Sequence, residues 1–110
     1  VAHHVRGHNP NSIGIELVNT GRYPHRFKSG HQQTTEPYPD GQIEALLALL
    51  VSHEERYHGL QNICGHSDLD TDMLPSQDRP DIEIRRKIDP GPHFPWMDVL
   101  NGISLNRLRI

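Results

Sequence analysis

The sequence has 110 residues, and its 11 Lys and Arg against 14 Asp and Glu give a formal net charge of −3, which does not indicate a general electrostatic attraction to nucleic acid and leaves only a local basic patch open. This length allows one domain, and no apolar run approaches the roughly 20 residues that a transmembrane helix needs. The single cysteine, Cys64, excludes an intramolecular disulfide bond. Histidine is unusually frequent, with nine residues, and this density favours metal or acid–base chemistry.

The first recognisable element is "NSIGIELVN", residues 11–19. Ile13, Ile15 and Leu17 alternate there with smaller or polar residues, and this period of two predicts a strand with Glu16 on the opposite face. The next 20 residues are rich in Gly, Pro, His and Gln and show no periodicity. They predict an irregular surface segment.

An amphipathic helix is predicted to follow. Apolar side chains recur at helical spacing at Ile43, Leu46, Leu47, Leu50, Val51 and Tyr57. Asp40 can cap the start and Gly59 can end the helix, which gives a length of about 17 residues.

The rest of the chain predicts short elements. The apolar "LQNIC" predicts a buried strand that ends at Gly65-His66, whereas residues 67–93 contain four prolines and no clean period. In "FPWMDVLNGISL", a proline in the first turn predicts a short helix whose Trp96, Val99 and Leu100 face inward. The order strand, helix, strand, helix predicts an α/β fold, with a small mixed β-sheet flanked by helices.

Four residues have types and settings that fit a hydrolytic metal site: His66, Asp89, Lys87 and Glu16. Each has an ordinary structural explanation of its own, such as a turn-forming aspartate before a proline. As a group they fit better, because a catalytic Zn²⁺ takes His and carboxylate ligands and keeps one position for water. Glu16 could then accept a proton, and Lys87, two residues before Asp89, could stabilise an oxyanion.

Three motifs, "SIGIEL", "GHSD" and "RKIDPGPHFPW", resemble the zinc-dependent N-acetylmuramoyl-L-alanine amidases, the type 2 amidase and peptidoglycan-recognition fold. The similarity extends over about residues 2–99. It implies that His66 and Asp89 bind zinc and that Glu16 and Lys87 are catalytic. The segment "HHVRGHN" and the asparagine that follows resemble the family's substrate-side segment, which implies a substrate-binding role for His4 and Asn11.

The resemblance also implies an incomplete site. In this family a first zinc-binding histidine lies on an early strand, upstream of the substrate-side segment. We therefore expect residues 1–110 to be the C-terminal two thirds of one amidase domain, without its first strand or strands. The third zinc ligand is expected upstream of Val1, with His3, His4 or His8 as alternatives. Residues 67–86 are expected to form an inserted lip over the cleft.

The expected function is peptidoglycan hydrolysis, at the amide between N-acetylmuramic acid and L-alanine, in a bacterium. The substrate is intact peptidoglycan or a muropeptide, which leaves the cell envelope or periplasm and the cytoplasm both open. The alternative is a non-catalytic peptidoglycan-binding module, and we expect this chain to be inactive by itself. A His-Asn-His nuclease fits poorly because Gly59 stands where its asparagine belongs, and a calcium loop at Asp68, Asp70 and Asp72 lacks the required glycine and closing glutamate.

Overall fold

The computed structural model describes residues 12–22 and 25–109. It confirms the α/β class, with small sheets and flanking helices. The elements in chain order are α1 (Asp40–Arg56), β1 (Asn62–Ile63), α2 (His66–Leu69), β2 (Met73–Pro75), β3 (Glu83–Arg85), α3 (Trp96–Asn101) and β4 (Asn106–Arg107), and a short 3-10 helix, Ser29–His31, precedes α1. No helix in the described ranges is long and apolar enough to span a bilayer.

Helix α1 confirms the strongest prediction from the sequence. Its inward face buries Ile43, Leu46 and Leu50, which join Phe94 and Val99 in the hydrophobic core. The predicted cap is wrong by one position, because Pro39 is the N-cap residue and Asp40 is the first residue of the helix. A carboxylate in the first turn still interacts favourably with the positive end of the helix dipole.

Within residues 12–22 and 25–109, the strands form two separate pairs rather than one sheet. Strand β1 lies within the predicted "LQNIC" segment and pairs in parallel with β4, which the sequence did not predict. Strands β2 and β3 form an antiparallel hairpin. Parallel and antiparallel pairing both occur among the described strands, but in separate two-stranded sheets and not within the one mixed sheet that was predicted.

The strand predicted at residues 11–19 is wrong for its described part, because residues 12–20 carry no strand assignment. Ile13 and Ile15 are 46% and 38% exposed, and only Leu17 packs against the core. Alternation gives a segment the right side-chain pattern, but a strand also needs a neighbouring backbone to pair with. The segment is instead attached to the loop before α1, where the Asn19 side chain donates a hydrogen bond to the Glu36 carbonyl (3.0 Å).

The segment at residues 67–86, for which the sequence shows no clean period, contains most of α2 and the β2–β3 hairpin. Strands of three residues are too short to show a period, which is why the sequence did not reveal them. The end of the hairpin is held to the loop before α1: both carboxylate oxygens of Asp78 accept hydrogen bonds from Ser29, at 2.8 and 2.9 Å. That the segment forms a lip over a cleft stays a prediction.

Helix α3 follows Pro95 and positions the second half of the core. Val99 is fully buried, as predicted, whereas Trp96 packs at the margin of the core and Leu100 is half-buried. Edge-to-face contacts join Tyr38 to Phe94 (5.6 Å between centroids) and Phe94 to Trp96 (4.8 Å). This row of three rings connects the core to the turn at Gly65.

Candidate metal centre

The two predicted metal ligands lie side by side. His66 is the first residue of α2, and Asp89 lies in the turn after β3. The distance between His66 Nδ1 and Asp89 Oδ2 is 3.3 Å. The His66 side chain is 20% exposed and that of Asp89 is 63% exposed, so the Asp89 carboxylate is open to solvent while His66 is mostly covered.

Backbone contacts hold the two motifs together independently of these side chains. The Ser67 N–H donates to the Asp89 carbonyl at 3.0 Å. Gly65 lies so close to the Pro90 ring that a Cβ atom on Gly65 would be 2.5 Å from Pro90 Cδ. The Asp89–Pro90 peptide bond is cis. The positions of His66 and Asp89 therefore follow from how the two turns pack against each other.

Tyr38 connects the Gly65–Pro90 contact to the core, and no periodic pattern of residues marks this role. Its hydroxyl donates a 2.6 Å hydrogen bond to the Pro90 carbonyl. Burial, with further contributions from the charges of Asp89 and Glu36, raises the pKa of the Tyr38 phenol. The hydroxyl thus stays protonated at neutral pH and keeps donating to the turn that carries Asp89.

A buried arginine supports the other side of the same turn. Arg22 is 8% exposed, and its guanidinium donates to the carbonyls of Arg85 (2.7 Å) and Arg86 (2.8 Å). Burial and the nearby Arg26 lower the pKa of Arg22, while the charge of Asp89 acts in the opposite direction. Arg22 thus fixes the backbone just before Lys87 and adds positive charge within electrostatic reach of Asp89.

The aspartates that follow His66 are bound by arginines. Asp68 accepts hydrogen bonds from Arg107 Nη2 (2.9 Å) and Nε (3.1 Å), and Asp70 is paired with Arg86. Burial, the largest single influence, acts to raise the pKa of both carboxyl groups, but the arginine hydrogen bonds, a backbone hydrogen bond to each and nearby positive charges together outweigh it, and the pKa of each is lowered. Because these carboxylates are held by two different cations, they do not form a calcium loop.

In the described residues, the two predicted catalytic side chains form no hydrogen bond or ion pair with His66 or Asp89. Lys87 is half-buried, and in the part of the chain that the structure describes it forms no ion pair. Glu16 is exposed, in the segment without strand pairing that precedes the irregular loop. His4 and Asn11 lie outside the described residues. The roles of all four stay predictions.

A zinc ion fits the chemistry of the pair, because an imidazole nitrogen and a carboxylate oxygen are typical zinc ligands. The pair supplies two ligands. Over residues 12–22 and 25–109, no group of three or more His, Cys, Asp and Glu side chains converges to hold a metal. A third protein ligand would have to come from outside these ranges.

Comparison with known proteins agrees with the motifs. The family model described as N-acetylmuramoyl-L-alanine amidase matches residues 1–92. N-acetylmuramoyl-L-alanine amidase AmiD of Escherichia coli (strain K12) is 36% identical over 92 residues, 83% of this chain. The 1,6-anhydro-N-acetylmuramyl-L-alanine amidase AmpD of Enterobacter cloacae is 37% identical over 86 residues, 77% of this chain.

The matched regions make up only 27% of the first relative and 32% of the second, so the chain spans about a third or less of the curated relatives that it matches. No solved structure gives a significant match.

Proposed function

We propose that this chain, which belongs to the N-acetylmuramoyl-L-alanine amidase family, forms part of a bacterial peptidoglycan amidase. The proposed reaction is hydrolysis of the amide between the lactyl group of N-acetylmuramic acid and the L-alanine of the stem peptide. The observation that carries the proposal is the 3.3 Å approach of His66 Nδ1 and Asp89 Oδ2, two zinc-type ligand atoms from motifs that are distant in sequence.

We assign the zinc ligands as His66, Asp89 and one residue outside the described ranges. Zinc held there would polarise the scissile carbonyl and lower the pKa of a water molecule towards neutrality. The exposure of the Asp89 carboxylate supports this assignment, since substrate must reach the metal from solvent. We propose that the third ligand is His3, His4, His8 or a residue that precedes Val1. We also propose that His4 and Asn11 contact the substrate.

Glu16 and Lys87 are assigned the proton transfer and the charge stabilisation. Glu16 would accept a proton from the attacking water and return one to the leaving amine of L-alanine. Lys87 would place its ammonium group beside the carbonyl oxygen as negative charge develops on it. The exposure of Glu16 and the position of Lys87 two residues before Asp89 support these roles.

The test uses the intact protein that contains this chain, with zinc content and amide hydrolysis measured separately. Asp89→Ala is expected to abolish zinc retention, because it removes one ligand. Glu16→Ala and Lys87→Ala are expected to retain zinc and to lower turnover by about 10²- to 10³-fold. Asp81→Ala, which removes an exposed aspartate on the hairpin, is the matched control and should change neither.

Two substrates decide the finer identity. The name of one relative specifies a 1,6-anhydro-N-acetylmuramyl substrate, whereas the name of the other does not. Release of L-alanine-terminated peptide from intact sacculi would place the enzyme in the cell envelope, and release from anhydro-muropeptide alone would favour the cytoplasm. Muropeptide binding without peptide release would refute the enzymatic proposal in favour of a binding module, and zinc retention in Asp89→Ala would refute the ligand assignment.

A further inference from the structure

We propose that Arg107, in the last strand, is a positioning residue that fixes the turn presenting His66 to Asp89. The proposal rests on the zinc site proposed above. Arg107 lies beyond residues 1–92, the part that matches the family model, and beyond the motifs that carry the family resemblance, the last of which ends at its neighbour Trp96. Arg107 therefore adds to the site from a region that the family model does not cover.

The first step is the position of β4. Its parallel pairing with β1 places Arg107 opposite Ile63, two residues before Gly65. The Leu108 N–H donates to the Ile63 carbonyl at 2.8 Å. The strand that carries Arg107 thus runs beside the strand that leads into the His66 turn.

The second step is the hydrogen bonding of Asp68. One of its oxygens, Oδ2, accepts from the Gly65 N–H at 2.8 Å and from Arg107 Nε at 3.1 Å, and Oδ1 accepts from Arg107 Nη2 at 2.9 Å. A two-point contact of this kind fixes the plane of the carboxylate as well as its position. The Asp68 side chain is 9% exposed and that of Arg107 is 21% exposed, so solvent competes little for these bonds. The orientation of Asp68, set by Arg107, in turn fixes the backbone of Gly65.

The third step is the packing of Trp96, which contacts both Arg107 and Gly65. Arg107 Cζ lies 4.0 Å from the centroid of the Trp96 ring, a cation–π geometry. Trp96 also packs on Gly65, since Cζ2 would be 3.3 Å from a Cβ atom placed there. Gly65 is consequently held by Asp68 at its N–H group and by Trp96 and Pro90 at its α-carbon, and its neighbour His66 has little freedom to turn away from Asp89.

The experiment compares Arg107→Met, Arg107→Lys and Arg56→Met with the wild-type protein. Methionine keeps an apolar stem of similar length and removes the guanidinium, whereas lysine keeps the charge without the planar fork. Arg56 is the matched control, because its guanidinium also lies over an aromatic ring, that of Tyr57 at 5.4 Å, but forms no hydrogen bond or ion pair with residues 65–68 in the described part of the chain.

Two readouts are needed. Amide hydrogen exchange of Gly65 in the metal-free protein measures how firmly the Gly65 N–H is bonded to Asp68. The Leu50 amide in α1 is the internal reference. Loss of hydrogen bonding to a charged group predicts that Arg107→Met accelerates Gly65 exchange by about tenfold or more, with Leu50 unchanged. Competition titration with a chelator should show Zn²⁺ affinity weakened by about 10- to 100-fold, as for other partners that orient metal ligands. Arg107→Lys should be intermediate and Arg56→Met unchanged in both.

Three results would overturn the proposal: unchanged Gly65 exchange in Arg107→Met, equal acceleration at Gly65 and Leu50, or faster Gly65 exchange with unaltered Zn²⁺ affinity. The second would mean that Arg107 contributes only to global stability. A wild-type protein that binds no Zn²⁺ at all would instead refute the proposed function. The exchange measurement would still show in that case whether Arg107 fixes Gly65 through Asp68.

Discussion

Gly65 is the residue at which the two motifs of the candidate metal centre touch, and Gly65→Ala tests whether that contact organises the site. A methyl group at this position would lie 2.5 Å from Pro90 Cδ and 3.3 Å from Trp96 Cζ2. The first distance is far below van der Waals contact, and the atom it meets belongs to a ring that is closed onto the backbone. Relief therefore requires the two turns to separate, which would also move His66 from Asp89.

The expected cost follows from the size of the clash. Inserting one methyl group into a closely packed site costs typically about 1–3 kcal/mol. For a domain of this size each kcal/mol lowers the melting temperature by about 4 °C, so a decrease of about 4–12 °C is expected. The 3.0 Å hydrogen bond from the Ser67 N–H to the Asp89 carbonyl should weaken at the same time.

The assay is thermal and denaturant unfolding of the metal-free protein, with Gly59→Ala as the control. Gly59 also lies outside the helices and strands, but a Cβ atom there would meet nothing within 4 Å. A surface substitution of this kind is expected to change the free energy of unfolding by about 0.5 kcal/mol or less. Equal stability of the two variants would refute the argument that the Gly65–Pro90 contact sets the geometry of the site.

Two further predictions concern the segments on either side of the junction. Gly91 has φ +83°, and a Cβ atom there would be 3.3 Å from Thr34 Oγ1, so Gly91→Ala should destabilise the metal-free protein by about 1–3 kcal/mol in the same unfolding assay. Hydrogen bonds from Ser29, the backbone N–H first, lower the pKa of Asp78 to about 2. Because this pKa is depressed in the folded protein, the contribution of Asp78 to stability is present above pH of about 4 and is lost as the pH falls towards 2. Titration of the Asp78 carboxyl carbon by NMR checks this value, and a midpoint near 4 would contradict it; Asp78→Asn should remove this part of the acid sensitivity.

The features predicted correctly from the sequence are those with a long period or a distinctive chemical pattern. Helix α1 has four turns, which is enough for its apolar face to identify it. The proximity of His66 and Asp89 was expected from residue types and the family motifs, and the structure brings them within 3.3 Å. Neither prediction depended on knowing which distant segments pack together.

The features that could not be predicted depend on long-range pairing. Strand β4 has two residues and is defined by its hydrogen bonds to β1, so no local pattern marks it. The same holds for Arg22, which looks like one more surface arginine until its guanidinium is found on the carbonyls of Arg85 and Arg86. Conversely, the alternation at residues 12–19 is a strong local pattern that predicts a strand, but these residues pair with no strand in the described part of the chain.

The geometry of the centre and its chemistry therefore depend on different atoms. Backbone groups, Gly65 and the rings of Pro90 and Trp96 bring the two turns together, whereas the Asp89 carboxylate that would bind zinc is 63% exposed and contributes little to packing. Removing that carboxylate should eliminate the metal while leaving the fold nearly as stable. A methyl group on Gly65 should destabilise the fold and displace the site although it removes no ligand. If zinc binds there as proposed, this division would leave the metal open to solvent while contacts with the core set the positions of His66 and Asp89.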